Sequence, residues 1–504
     1  MSDAMAVWTV ILVGVSMVIG MGTGPASAGV QIGWAQTDIT PSGRVLLRGQ
    51  FYARIAEKAA DPLTATVLVL DGGDDHAVLV SCDLISIVDQ LRDEVRERLG
   101  DVAGLDPNKV ILNATHTHCT PILTDPREGG SLDQGLDLNT QRPEELRAFI
   151  ADRIAEAVKQ AWAARQPGRI AFGLGQAVVG RHRLTVNHAG VSRMYGNTNT
   201  PEFRHMVGYE DHSVGVLATR NSDGRLTGLI VNVACPSQVD EHAFEMSADY
   251  WHETREELRH RLGDEQLFIL PQCAFAGDQS PRTPYAQVAE NRMMERAGLS
   301  TRARIARDIA DAVERVLAIL GDTADADTPL RHHVELLPLP MIPITPEMLA
   351  TAQAEADKLR AQFEEQMRSI EADPAAKDNP RWYVAPTRAD GRMSWNLRVV
   401  SRHKLQQASS ELPSEIHVIR LGDITIATVP FEYYVDYGIQ IKARSRGTQT
   451  FLVQLAGSGT YLSTERAMRG GGYGALPASN AISAEGGQQL AERIIEVIGQ
   501  LWND

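Results

Sequence analysis

Apolar runs and amphipathic stretches succeed one another along most of the chain. Thr64-Ala65-Thr66-Val67-Leu68-Val69-Leu70 and Ala77-Val78-Leu79-Val80-Ser81-Cys82-Asp83 flank a Gly72-Gly73-Asp74-Asp75 turn. Arms so nearly continuous in apolar residues predict a hairpin buried on both faces. Leu91, Val95 and Leu99 give helical spacing over 89–99, and Lys109-Val110-Ile111-Leu112 reads as the next strand. Leu146, Ile150, Ile154 and Val158 mark a long amphipathic helix with Pro143 near its first turn. A second hairpin has arms at 213–217 and 226–231 around Asn221-Ser222-Asp223-Gly224, where the turn residues are strong. A helix near 251–262 and a strand at 267–270 follow, then a helix over 301–320 with Ile305, Ile309, Val313 and Leu317 on one face. The Ala/Glu/Gln-rich stretch 345–371 predicts an exposed helix. A third hairpin turns at Gly422-Asp423, Phe451-Leu452-Val453-Gln454-Leu455 is a further strand, and 487–502 closes the chain as a helix. The pattern predicts an α/β architecture, with α+β the alternative: layered sheets, flanking helices, and polar motifs gathered at strand ends.

Composition narrows the picture. The 504 residues are 43% hydrophobic and 22% charged, ample for a core, and no repeated segment or low-complexity linker stands out. A net charge of -15 excludes nucleic acid and anionic membrane surfaces as main partners. Residues 6–22 form an apolar run followed by Pro25-Ala26-Ser27-Ala28, which reads as a secretory signal over 1–28 cut after Ala28. That places the protein outside the cytoplasm, secreted or periplasmic, with no membrane span after cleavage; an uncleaved N-terminal anchor is the alternative, because 1–5 carry no Lys or Arg. Cys82, Cys119, Cys235 and Cys273 form no C-x-x-C pair and read as buried thiols.

The chemistry concentrates at strand ends. Asn113-Ala114-Thr115-His116-Thr117-His118 presents two imidazoles at i, i+2, which an extended backbone points to one side, half of a metal site. For one isolated His-x-His, the ordinary reading is a pair of loop histidines bonded to backbone. Further strand ends carry Glu241/His242, Gly277-Asp278-Gln279-Ser280-Pro281, Glu432 after Val429-Pro430, and Tyr461. Singly, each has a plain alternative: a surface loop, a Ser-Pro turn, a cap, a core tyrosine.

In this order the segments resemble the neutral (non-lysosomal) ceramidase family, together with Asp61-Pro62-Leu63-Thr64-Ala65, Tyr461-Leu462-Ser463-Thr464-Glu465 and Gly471-Gly472-Tyr473. The resemblance runs from about Gly33 to the C-terminus. It implies one large catalytic domain over 29–504 and a Zn2+-dependent hydrolase that cleaves the N-acyl bond of a lipid-like or other small substrate. His116, Glu432 and Tyr461 would be zinc ligands, His118 would assist at the scissile carbonyl, and Ser280 would be the essential serine. The family's second zinc histidine, in a His-Pro-Thr segment, is absent: the chain reads Cys235-Pro236-Ser237-Gln238 there. His242 is the replacement this reading selects, ahead of Cys235. Asp278 would orient Ser280 or a ligand histidine. Two other readings remain: the same fold acting on a polar amide, ester or sugar derivative, and a metal-stabilised binding protein without turnover.

Overall fold

Strand periodicity divides the core. In the strand Thr64–Asp71, Ala65, Val67 and Val69 enter one apolar cluster while Leu68 and Leu70 enter the opposite one, as alternate residues of a strand must. Both faces are covered, so every residue but the last is buried, and each buried Val or Leu is worth about 1.5–3 kcal/mol.

The structure, a computed structural model, describes residues 29–124, 136–321 and 328–503. Its main strands form three units of one plan. The first contains β1 (Gln31–Asp38), β2 (Thr64–Asp71), β3 (His76–Cys82) and β4 (Val110–Ala114), with α1 (Asp89–Glu97) between β3 and β4 and α2 (Pro143–Ala164) after them. The second contains β5 (Gln166–Gln176), β6 (Ser213–Asn221), β7 (Leu226–Val233) and β8 (Phe268–Cys273), with α3 (Tyr250–Leu262) and α4 (Thr301–Leu320) placed likewise. The third contains β9 (Leu330–Pro340), β10 (Glu411–Leu421), β11 (Ile424–Thr428) and β12 (Gln449–Val453). It carries a helical hairpin, α5 (Pro346–Ala372) and α6 (Val384–Gln406), between β9 and β10, and then α7 (Val435–Arg444) and α8 (Ala484–Leu501).

In each unit the first three strands pair antiparallel, and the last two pair parallel across the intervening helix. The parallel pairs end in step: Cys82 beside Ala114, Val233 beside Cys273, Thr428 beside Val453. Units one and two join through β1 and β5 into an eight-stranded sheet, while unit three forms a four-stranded sheet. The two sheets enclose one shared cluster, including Leu68, Ile230, Ile426 and Phe451, and the helices cover the outer faces.

The layered α/β architecture with flanking helices is as the hydrophobic pattern predicts. The threefold plan is new, because the units share topology and not a visible residue pattern. Strands β1, β5 and β9 and helix α6 also lie outside the predicted elements. Pro386 and Gly391 interrupt the apolar spacing of α6, which buries small and polar residues such as Ala389, Asp390 and Ser394. Helix α5 is exposed as expected, with only Ala352, Ala356 and Leu359 buried. All four cysteines are buried free thiols. The signal over 1–28 lies outside the described residues. No described helix is long and apolar enough to cross a membrane.

Candidate functional site

A pocket of about 450 Å3 opens where the three parallel strand pairs end. Its floor comes from the segments after those strands: His116 and His118 after β4, Gln238, Glu241 and His242 after β7, Arg282 after β8, Glu432 after β11, and Tyr461 and Tyr473 after β12. Its wall comes from the connections after the first strand of each unit: Arg48–Phe51, Arg183 with Tyr195, and the α6 face bearing Trp395 and Arg398.

The His-x-His loop leaves β4 with Thr115 N–H donating to Cys82 O (3.0 Å) and His116 N–H to Leu84 O (2.9 Å). His116 has φ 69°, so its backbone is left-handed rather than extended as expected, and the two rings meet for a different reason. His116 Nδ1 donates to Ile85 O (2.7 Å), which leaves Nε2 as the nitrogen facing the pocket. That atom lies 3.4 Å from His118 Nε2 and 3.4 Å from Glu432 Oε2. His118 packs against Gly49, where φ is +109° and a Cβ would come within 2.7 Å of the imidazole. Arg54, fully buried, donates to His118 O (2.5 Å) and Ala243 O (2.6 Å), which fastens the loop from behind. Burial first, then the neighbouring His116, Arg54 and Arg183, hold the His118 pKa well below the usual histidine range, so this imidazole is neutral.

Glu432 and Tyr461 are partners in a short parallel pairing, Glu432–Tyr433 with Tyr461–Leu462. Gly277 lets a neighbouring loop close on Glu432, since a Cβ there would lie 2.2 Å from its carbonyl oxygen. Between these groups sits Arg183, 3% exposed, donating to Tyr461 Oη (3.0 Å), Gly277 O (2.7 Å) and Gln238 Oε1 (3.4 Å), and 3.7 Å from Glu432 Oε2. Burial works against its charge, but Tyr461, Tyr195 and Glu432 hold the guanidinium pKa above its usual value. Burial pushes the Tyr461 phenol up, so its hydroxyl stays protonated.

The other predicted residues stand further back. Ser280 is fully buried and does not line the pocket; its Oγ accepts from Arg282 N–H (3.2 Å) and from the Tyr195 hydroxyl (3.3 Å). Tyr195 Oη accepts from Gln238 Nε2 (2.9 Å), so a short chain of hydrogen bonds joins Ser280 to the pocket wall. Asp278 turns to His182 (3.3 Å) and accepts from Val435 N–H (3.1 Å), rather than reaching Ser280 or His116 as expected; it braces the loop under Arg183. His182 Nδ1 accepts from Leu184 N–H, which leaves the Nε2 proton for Asp278. Burial works against the charge of Asp278, but the neighbouring His182, Gln279 and Val435 N–H keep its carboxyl below the usual range.

His242 sits on the rim, 61% exposed, with Nδ1 3.2 Å from Tyr52 Oη, and no described contact brings it to His116, Glu432 or Tyr461. Its neighbour Glu241 is the inward residue, 3.6 Å from His118 Nδ1 and ion-paired with Arg282. Cys235 is buried with its thiol pushed well up, which disfavours a thiolate ligand. Arg183, Tyr195 and Trp395 lie on elements with no strand-end motif, so nothing local in the sequence marks them.

Among the described residues no three His, Cys, Asp or Glu side chains gather into a ready metal cluster. The donor chemistry at His116 still suits an ion. Its pocket-facing Nε2, with the other ring nitrogen held by a carbonyl, is the arrangement of a ligating histidine. The 3.4 Å separation of His116 Nε2 from Glu432 Oε2 suits two donors to one zinc ion.

No protein-family model matches the sequence, and no curated protein matches it. Solved structures do. A neutral ceramidase from Pseudomonas aeruginosa aligns over 94% of this chain and 75% of its own, with a TM-score of 0.61 and 16% identity. A ceramidase complexed with C2 aligns over 94% of this chain and 76% of its own, with a TM-score of 0.63 and 16% identity. The fold is the ceramidase fold.

Proposed function

We propose that the chain is a zinc-dependent hydrolase that cleaves an amide bond, in the manner its structural neighbours' names imply for ceramide. The observation that carries the reading is the meeting of His116, His118, Glu432 and Tyr461 in one pocket at the strand ends of this fold. His116, Glu432 and Tyr461 would hold the ion, which when bound supplies Lewis-acid activation of the carbonyl and of the attacking water. Arg183, between Tyr461 and Glu432, is placed to donate to a carbonyl oxygen that gains charge. Neutral His118, with Glu241 beside it, is the group to take a proton from water and return it to the leaving amine. Ser280 acts through Tyr195, holding that hydroxyl in position.

Amide turnover with zinc content of the purified protein tests this. Equimolar zinc, lost in His116→Ala, with hydrolysis of a ceramide or a smaller N-acyl amine, is the expected result; a metal-free protein with no hydrolysis sinks the proposal. A second reading, the same hydrolysis on a polar substrate, is favoured by one observation: among the described residues, none of the exposed large hydrophobic side chains lines the pocket.

A further inference from the structure

The aromatic side chains of the pocket form one connected set. Phe51, Tyr195, Trp395, Tyr461 and Tyr473 line it, against three other apolar side chains among the described residues, Ile85, Met194 and Leu455. Tyr461, a proposed zinc ligand, meets Tyr473 edge-on (5.7 Å, 77° between planes), and Tyr473 stacks on Trp395 (5.7 Å, 10°). Phe51 stands edge-on to both Trp395 and Tyr473, at 6.0 and 6.1 Å. Two ring contacts therefore lead from the reacting centre to Trp395. A flat group held there lies beside the scissile bond and not at the far end of a chain.

These rings are held in place by the protein itself. Trp395 Nε1 donates to Ser479 Oγ (3.0 Å), and the same buried serine interacts with the Tyr473 hydroxyl. The polar tips of the stacked pair are thus engaged, and what the pair offers a ligand is carbon face. Helix α6 is clasped on both sides of Trp395: Ala53 N–H donates to Thr387 Oγ1 (3.0 Å), and Arg402 donates to Asn480 O (2.7 Å). Phe51, Trp395 and Tyr473 are half-buried, each with part of its ring open to the pocket. Parallel faces with a perpendicular ring beside them suit an aromatic group, which can stack and meet an edge at once. A sugar ring also stacks, but its rim needs hydrogen bonds where Phe51 presents hydrocarbon. A long alkyl chain needs an aliphatic channel, and three scattered apolar side chains do not make one. The volume of about 450 Å3 falls in the range of pockets for small ligands.

We infer that the substrate carries a single aromatic ring next to its scissile amide, seated on Trp395 and Tyr473 and edged by Phe51. The placement of the amide rests on the hydrolase reading; the ring subsite does not. Ketones in which a methylene replaces the amide nitrogen bind without being cleaved, so calorimetric titration of the full chain with two matched pairs reads the subsite alone. Butyrophenone is paired with cyclohexyl propyl ketone, and benzylacetone with its ring-saturated counterpart; the pairs place the ring on the acyl side and on the amine side. In at least one pair the aromatic member is expected to bind ~3–10-fold more tightly, and Trp395→Leu to remove the difference. Trp395→Phe should restore part of it. Phe51→Leu serves if Trp395→Leu does not fold. The amide that matches the preferred pair, N-ethylbenzamide or N-benzylacetamide, should be cleaved with a lower KM than its ring-saturated counterpart. Equal binding within both pairs, a preference that both folded variants keep, or Trp395-dependent binding of N-acetylglucosamine in place of the aromatic ketones overturns the inference. If ceramide is hydrolysed and neither aromatic ketone is preferred, the ring subsite fails and the hydrolase stands. If no amide is ever cleaved but the Trp395-dependent preference persists, the hydrolase fails and the subsite stands.

Discussion

The segments that follow the parallel strand pairs and those that follow the first strands reach the same pocket, yet they hold their side chains by different means. On the floor, the His116 loop is tied through Thr115 to Asp83, which Arg255 grips with two hydrogen bonds (2.9 and 3.0 Å) in full burial. Thr117 donates to Ser247 O (2.6 Å), and Ser247 in turn donates to Asp61, itself paired with Arg302 (2.7 Å). On the wall, Trp395 and Phe51 are held mainly by ring contacts with each other and with Tyr473, which reaches up from the floor. The histidines proposed to react are thus fixed from behind by buried ion pairs. The groups proposed to recognise stand on connections that can change without disturbing a sheet.

The sharpest test of that division is His116→Ala, expected to lower hydrolysis by ~10³-fold or more with a melting temperature close to wild type; an equal loss of kcat in Trp395→Ala would erase the distinction. Next comes Asp83→Ala, which strands the buried Arg255 charge and should cost about 3–5 kcal/mol of stability in denaturant unfolding. A neutral result would mean that the floor is not held by this pair. A smaller effect is a matter of pH. Burial pushes Asp249, at the start of α3, up to about 6 from 3.8, so the folded chain holds this proton more tightly than the unfolded one. Stability should therefore fall as pH rises from about 4 to about 6, by at most ~3 kcal/mol, and Asp249→Asn should flatten that part of the curve. Smallest is Trp395→Ala itself: a rise in KM of roughly 3–10-fold with kcat nearly unchanged, as expected for losing a stacking face.

The same division explains what could be read from the sequence. His116, Glu432 and Tyr461 follow strands whose apolar runs are unmistakable, and the structure brings all three to one pocket. Glu241 and His242 are adjacent in a loop with no periodicity, so sequence could not say which turns inward; the ion pair with Arg282 and the contact with His118 draw Glu241 in. Asp278 reads in the sequence as a residue to orient Ser280 or a ligand histidine. The Gln279–Ser280 pairing with Arg181–His182 instead sets Asp278 against His182. The wall was illegible for another reason: Arg48, Arg183 and Arg398 are distant in the chain, and nothing but the threefold packing of the units brings their connections side by side.

The pairing of Glu432 with Tyr461 has a bearing on the order in which the protein becomes competent. A nascent chain that has emerged as far as β10 already owns both histidines, the serine and the arginine that would face them, but neither of these two oxygen donors. Whatever the first two units achieve on their own, the proposed site is complete only once the strands of the third unit are in place.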